Sequence, residues 1–204
     1  MLVLHEMHIS GNCYKVRLAA RQLGIALMLK EYPLQARLTR KPEFLKKNPN
    51  GRVPLLELED GRCLAESGAI LLYLAEGSDL IPNDRWARAK MLEWMFFEQY
   101  EHEPTIAVAR RWLSYEPKEA LEAKRAFVPE WQAKGSAALS VMESHLKDNA
   151  WFAGDRYSIA DIALYAYTHC AEEGGFRLRD YPAISAWLDH VAGEPNHIPL
   201  SETW

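Results

Sequence analysis

The sequence predicts an α/β domain built on a small mixed sheet, followed after a short linker by an all-helical domain. Three observations carry this reading. Strand-like and helix-like patterns alternate as β-α-β-α-β-β-α in fewer than about eighty residues. Composition shifts at Ser78 to Asp84, a linker containing Pro82, and from Arg85 on the chain reads as helix. Late in that region Ser158-Ile159-Ala160-Asp161 places a serine N-cap three residues ahead of an acid, a capping-box variant opening a run that is apolar all round.

The elements follow in order. Leu2-Val3-Leu4 has the length and composition of a buried strand. The polar knot Ser10-Gly11-Asn12-Cys13 precedes Val16, Ala19, Ala20 and Leu23 at helical spacing, and Gly24 closes that helix. Met28 to Leu34 reads as a second strand, at the spacing of a parallel crossover. Lys41 to Leu45 is a short helix with proline in its first turn. The turn residues Asn48-Pro49-Asn50-Gly51 deliver Arg52-Val53-Pro54 into an alternating strand, Leu55 to Glu59. Asp60-Gly61 reads as a two-residue hairpin turn, and Arg62-Cys63-Leu64 returns antiparallel. Glu66-Ser67-Gly68 opens an apolar helix, Ala69 to Ala75, stopped near Gly77.

In the second region Ala87 to Leu113 is one long aromatic-rich run, kinked by the interior Pro104. Pro117 opens another through Leu146, interrupted by Pro129. The capped helix runs from Ile159 to about Cys170, with Tyr157 and Ile162 placed as a hydrophobic staple. A last helix, Tyr181 to Val191, precedes an irregular tail.

Composition narrows the function classes. At 49% hydrophobic and 25% charged residues the chain is an ordinary globular one, and its formal charge of −4 favours neither nucleic acid nor an anionic membrane. No apolar run reaches the length of a membrane span, and the start lacks the pattern of a signal peptide. Cys13, Cys63 and Cys170 are odd in number and widely spaced, without a CxxC pair or zinc-ligand spacing. The expectation is a reduced cytoplasm and no metal.

The chemistry centres on the first turn. Ser10, Asn12 and Cys13 sit where a strand meets a helix, against the unpaired N–H groups of the helix start. Two readings stand side by side: Ser10 or Asn12 merely caps the helix, or the turn holds and activates an anion.

The order of elements and three motifs resemble the cytosolic glutathione transferase family over essentially the whole chain, in a bacterial form with a serine-type or nu-like first turn. Arg52-Val53-Pro54 before a strand looks like its Val-Pro, in which the proline is cis. Glu66-Ser67 at a helix start looks like its acid–serine pair for a γ-glutamyl group, and Ser158 to Asp161 after Trp151-Phe152-Ala153-Gly154-Asp155 resembles its C-terminal folding motif. The resemblance implies a thioredoxin-like glutathione-binding domain over residues 1–78 and an all-helical domain over 85–204.

It also implies roles. Ser10 and Asn12 are the catalytic candidates. Lowering a thiol pKa from ~8.5 to ~6.5 takes about 2.7 kcal/mol, and a hydroxyl hydrogen bond of roughly 1 kcal/mol with a helix N-terminus of up to about 1 more supplies most of it. Cys13, Arg40, Lys41, Arg52, Val53, Pro54, Glu66 and Ser67 are the glutathione-binding candidates: Val53 pairing its backbone with the peptide, Ser67 on the γ-glutamyl carboxylate, Glu66 facing the ammonium, Arg40 and Lys41 toward the glycine carboxylate. Cys13 is also weighed as a thiol that could form a mixed disulfide, although by spacing the nucleophile slot is Ser10 and Cys13 points inward. Tyr100, His102, Glu103 and Trp112, around Pro104, are the electrophile-site candidates, that site forming between the first turn and the start of the helical domain.

Glutathione would be the co-substrate, with a small electrophile or a disulfide as its partner in reaction. Conjugation, with a role in detoxification, glutathione-dependent disulfide reduction of the nu kind, and a non-catalytic binding protein of the same fold all remain open. A two-fold homodimer through Glu66 to Tyr73 and the Met91-Trp94-Met95 face is implied as well, with Glu98, Glu101 or Glu103 as an acid that could cross it.

Overall fold

The computed structural model describes residues 1–202. It divides into two compact units: Met1–Ile81 together with the tail from Glu194, and Pro82–Gly193.

The first unit begins with β1 (Leu2–Glu6), α1 (Gly11–Gln22) and β2 (Leu27–Glu31). A Schellman ending turns the chain after α1. Ile25 N–H donates to Ala20 O at 2.8 Å and Gly24 N–H to Arg21 O at 3.2 Å, with Gly24 at φ 68. That return lays β2 parallel to β1, with Leu4 opposite Leu29. Two short 3-10 turns lead to α2 (Pro42–Leu45), then β3 (Leu55–Glu57), β4 (Cys63–Ala65) and α3 (Ser67–Ala75). The strand order is β2-β1-β3-β4, with β1/β3 and β3/β4 antiparallel.

Period-two alternation sorts the side chains onto two faces. Leu4, Leu27 and Leu56 pack under Val16 and Ala20 of α1 and Ile70 and Leu74 of α3. On the other face Leu55 joins Tyr32 and Phe44. Both helices therefore lie on one side of the sheet, and their N-terminal ends meet.

The hairpin turn differs from the expected two-residue form. Leu58 N–H bonds Arg62 O at 2.8 Å and Gly61 N–H bonds Leu58 O at 3.0 Å, leaving residues 59–61 as a three-residue loop. Gly61 at φ 83 takes its left-handed position, and Asp60 Oδ1 accepts from Arg62 N–H at 3.0 Å.

The tail, expected with the helical domain, instead returns to the first unit because a stripe on α1 holds it. Tyr14 Oη donates to Ile198 O at 2.6 Å, and Arg17 Nη1 and Nη2 donate to Glu202 O and Leu200 O, each at 3.1 Å. Arg21 Nη2 donates to Glu202 Oε1 at 2.7 Å. Spacings of three and four residues put these donors on one helix face. Arg17 is fully buried beside the buried Glu6, Nε to Oε2 at 3.3 Å. Burial pushes the Glu6 carboxyl up, and Arg17 pulls against it.

The second unit holds α4 (Arg85–Phe97), a π-helical segment (Glu98–His102), α5 (Glu103–Ser114), α6 (Lys118–Glu122), α7 (Val128–Leu146), α8 (Ile159–Thr168) and α9 (Pro182–Ala192). Asp84 caps α4 through Ala87 N–H at 2.8 Å. Where the sequence suggested a proline kink in one long helix, the break is the π segment just before Pro104. Pro104 has no N–H to donate, Glu103 N–H reaches back to Glu98 O, and Thr105 Oγ1 donates to Glu101 O and His102 O at 2.9 Å each. Pro129 starts α7 rather than interrupting it, because a first-turn N–H has no helical partner to lose.

All ten residues of α8 are buried, and its capping box is formed. Asp161 Oδ2 accepts from Ser158 N–H and Oγ at 3.0 Å each. Its Oδ1 accepts from Phe152 N–H at 3.2 Å and Trp187 Nε1–H at 3.0 Å. Burial pushes this carboxyl up to about 6, while those four donors pull it back. One side chain thus ties the loop before α8, its first turn and α9. Replacing it strands several buried donors, at ~1–3 kcal/mol each. Asp161→Ala is expected to lower unfolding stability by about 3 kcal/mol or more in urea titration; a loss under about 1 kcal/mol would contradict this role.

Candidate functional site

The site is assembled where α1 and α3 begin. Ser10, extended at φ −79 and ψ 123, is the N-cap of α1 and accepts from Cys13 N–H at 3.4 Å. A hydroxyl that accepts through its oxygen keeps its own proton to donate, so capping and thiol contact are compatible. Asn12 is one turn-position on, half-buried, and its Oδ1 is held by two donors: Lys15 Nζ at 2.7 Å and Ser67 Oγ at 3.3 Å. The starts of the two helices are thereby linked. Their N–H groups and dipoles make this a place for anions.

Ser67 opens α3 and is 5% exposed. Glu66, exposed beside it, has φ 69 and ψ 118, a backbone conformation that costs a side-chain-bearing residue roughly 1–3 kcal/mol. Such strain, held at the mouth of a helix, sets the directions of the Glu66 and Ser67 groups.

The Val53–Pro54 peptide bond is cis, and the β1–β3 ladder begins only at Leu55, so Val53 lies outside it. Asn48 shapes the approach, donating from Nδ2 to Arg52 O at 2.8 Å and accepting from Asn50 N–H at 3.0 Å. Arg40 Nη1 donates to Asn50 O at 3.1 Å, bracing the same loop. Gly51 is required there: at φ 63, a Cβ would meet Arg40 Nη1 at 2.7 Å. Lys41 and Arg52 are exposed.

Cys13 is not brought to this surface. It is fully buried, its Sγ accepts from Met7 N–H at 3.3 Å, and burial pushes its thiol up to about 12. A helix start favours a thiolate, but desolvation wins once the side chain turns inward. Cys13 is a core residue.

The four electrophile-site candidates are not gathered either. His102 is fully buried, with Nε2 2.9 Å from Thr168 Oγ1 of α8. Tyr100 is 77% exposed and Glu103 is half-buried. Trp112, half-buried, stacks on Trp131 at 6.5 Å, and Trp131 on Phe127 at 6.1 Å. The π segment rotates His102 inward and Tyr100 outward. The face Met91-Trp94-Met95, expected at a dimer interface, is also interior: Trp94 packs on Phe152 at 4.7 Å and His145 at 4.8 Å. Among the described residues no group of three or more His, Cys, Asp or Glu is placed to hold a metal, and no helix is long and apolar enough to cross a membrane.

The N-terminal domain of glutathione S-transferase matches residues 4–80, and the C-terminal domain of the same family matches residues 103–195. This chain belongs to the glutathione S-transferase family. It is similar to a glutathione S-transferase from Pseudomonas fluorescens, whose crystal structure superposes with a TM-score of 0.94 at 46% identity, covering 98% of this chain and 99% of that one. The glutathione S-transferase-like protein FUS3 of Gibberella fujikuroi is 32% identical over 93% of this chain and 95% of its own. The disulfide-bond oxidoreductase YfcG of Escherichia coli is 29% identical over 84% of this chain and 85% of its own.

Within this family member two features of the first turn escape a linear reading. Lys15, 1% exposed, reaches Asn12 three residues earlier on the same helix face. Its signal is a lysine between the apolar Tyr14 and Val16. The buried Arg17–Glu6 pair beneath the turn has no local signal, since its partner is on a different element.

The burial of Cys13 sets an expectation for thiol chemistry. At neutral pH a disulfide reagent should titrate no more than the half-buried Cys63 in the native chain, and all three cysteines after unfolding. Rapid native labelling at Cys13, located by peptide mass mapping, would contradict its assignment to the core.

Proposed function

We propose that this protein is a glutathione transferase that binds glutathione across the starts of α1 and α3 and attacks a small electrophile with its thiolate. The observation that carries the reading is the Asn12–Ser67 contact at 3.3 Å. It makes the turn suited to a thiolate and the helix start suited to a γ-glutamyl carboxylate parts of one site. In this reading the Ser10 hydroxyl donates to the sulfur, Asn12 supplies a second donor, and the α1 start stabilises the charge. Ser67 offers its backbone N–H to the γ-glutamyl carboxylate at the α3 start, and its one hydroxyl proton turns from Asn12 Oδ1 to that carboxylate when the peptide binds, with Glu66 opposite the ammonium. Val53 pairs with the cysteinyl peptide as an added strand would, and Arg40 and Lys41 lie on the glycine side. Tyr100, Glu103 and Trp112 remain candidates for contact with the electrophile; His102 acts at most from the interior.

A second reading is glutathione-dependent disulfide reduction, favoured by the likeness to YfcG. Cys13 is buried, so the redox chemistry would belong to glutathione sulfurs. A first glutathione thiolate attacks the disulfide, releasing one thiol and leaving a mixed disulfide; a second glutathione thiolate attacks its glutathione sulfur, releasing the other thiol and forming oxidised glutathione. The same turn serves both reactions.

A homodimer belongs to this proposal. Tyr73 on α3, Trp86 and Phe96 on α4, and Tyr100 on the π segment are 51%, 73%, 62% and 77% exposed, large aromatic side chains that a second copy could cover. Of the acids that could cross such an interface Glu101 is exposed and Glu103 half-buried, whereas Glu98 is interior.

The tests are retention on immobilised glutathione and turnover with an aryl chloride and with hydroxyethyl disulfide. Ser67→Ala should weaken glutathione binding about ten- to a hundredfold, the range expected for a hydrogen bond to a charged group, with folding intact. Ser10→Ala should lower turnover in whichever assay the wild type supports. A wild-type chain that binds no glutathione would overturn both enzymatic readings in favour of a non-catalytic protein. Undiminished turnover by Ser10→Ala would overturn the role of that hydroxyl.

A further inference from the structure

We infer that His8 is a positioning residue for the first turn: as the neutral imidazole it accepts from Arg17 and ties the turn bearing Ser10 to the tail, and protonation releases the tie. The surroundings of the Arg17 guanidinium carry this. The side chain is fully buried. Nη1 lies 2.7 Å from His8 Nδ1 and donates to Glu202 O at 3.1 Å. Nη2 donates to His8 O at 2.9 Å and to Leu200 O at 3.1 Å. His8 and the tail thus share the outer edge of one guanidinium.

A guanidinium holds only donors and keeps its charge at any pH the protein meets. The His8 nitrogen facing it therefore has to be the acceptor, which fixes the ring as neutral with its proton on Nε2. The ring also has a backbone hydrogen bond with Ser201, a further tie to the tail. On the other side His8 N–H reaches both carboxylate oxygens of Glu31 on β2, at 3.1 and 3.0 Å. Ser10 comes two residues later, and its N–H closes the turn onto Met7 O at 2.9 Å. Met7 N–H in turn donates to Cys13 Sγ at 3.3 Å. These bonds pin the backbone immediately ahead of the Ser10 hydroxyl.

A proton on Nδ1 would set an N–H and a second positive charge against the guanidinium, where the contact needs a lone pair. The charged groups around the ring oppose one another. Arg17 on α1 disfavours the imidazolium, whereas Glu31 on β2 and the Ser201 backbone favour it. Glu6 on β1 is engaged with Arg17 at 3.3 Å, and the Glu202 carboxylate of the tail with Arg21 at 2.7 Å. Burial and Arg17 prevail and hold the ring below the usual imidazole range. The tie is therefore intact at neutral pH and is released as pH falls through that lowered value.

The effect on a thiolate rests on the glutathione site proposed above; the tie itself does not. The experiment compares wild type with His8→Asn and His8→Ala. Asparagine brings an acceptor oxygen near the place of Nδ1 and takes up no proton, while alanine offers no acceptor. In the labelled chain without glutathione, nuclear magnetic resonance from pH ~5 to ~8 follows the His8 ring. In wild type the Arg17 side-chain N–H signals and the Ser10 and Glu202 amides should shift with that ring. His8→Asn should abolish the shared inflection, and His8→Ala should hold the acid-form positions throughout. With glutathione bound, His8→Ala should raise the apparent pKa of the thiol by roughly 0.5–1 unit, about a three- to tenfold loss of thiolate. S-methylglutathione affinity should stay within about twofold, and His8→Asn should keep the wild-type thiol pKa.

Shifts of Arg17, Ser10 and Glu202 that do not follow His8, or that persist in His8→Asn, would overturn the tie. An unchanged thiol pKa in His8→Ala, or equal weakening of glutathione and S-methylglutathione, would overturn the positioning role while leaving the glutathione site intact. A wild-type chain that binds no glutathione would overturn that site and the effect on its thiolate, and the titration without glutathione would still decide the tie.

Discussion

Asn12 Oδ1 is shared between a lysine on its own helix and a serine on another, and the geometry of the first unit's anion site depends on that sharing. The contact requires α1 and α3 to start side by side, which follows from packing both helices on one face of the sheet over Leu4, Leu27 and Leu56. It also requires α1 to be fixed in rotation. The stripe Tyr14, Arg17 and Arg21, bonded to the tail, provides that from the opposite side. A helix clamped along one stripe and packed along another presents its third face, the one bearing Asn12, in a single orientation.

The same rotation accounts for Cys13. Adjacent helix positions are about a third of a turn apart, so when Asn12 faces the site, Cys13 faces the sheet. Its neighbourhood in sequence, a polar knot at a helix start, is the one that lowers thiol pKa values elsewhere. Its neighbourhood in space is closed to water, and desolvation there raises the pKa to about 12. The chain therefore brings a hydroxyl and an amide to the turn and withdraws its own sulfur, which suits a site whose thiolate arrives with a peptide.

Much of the architecture was legible from local signals, because local physics makes it. The Ser10 cap, the Gly24 ending and the Ser158–Asp161 box each use residues whose reach is five positions or fewer, whereas Asp60-Gly61 marked a turn without giving its three-residue length. The placement of Ser10, Asn12 and Ser67 at the starts of two helices was legible for the same reason. What escaped was set by partners distant in sequence. Nothing local to Arg17 marks it for burial; Glu6 and the tail, distant in sequence, close over it. Met91, Trp94 and Met95 read as a dimer face, yet they are interior, with Trp94 packed on Phe152 and His145. His102 and Tyr100 were grouped by proximity to Pro104, and the π segment, which adds a residue to one turn, sends them to opposite sides.

The central claim is that the starts of α1 and α3 with the Val53 loop form one glutathione site. Its most direct measurement is a titration of the isotopically labelled chain with glutathione, followed by amide proton–nitrogen correlation spectra. Saturable shifts of the backbone amides of Val53 and Ser67 and of the Asn12 side-chain amide, all fitting one dissociation constant, are the predicted result. Saturable binding whose shifts fall elsewhere, with these three signals unmoved, would contradict it.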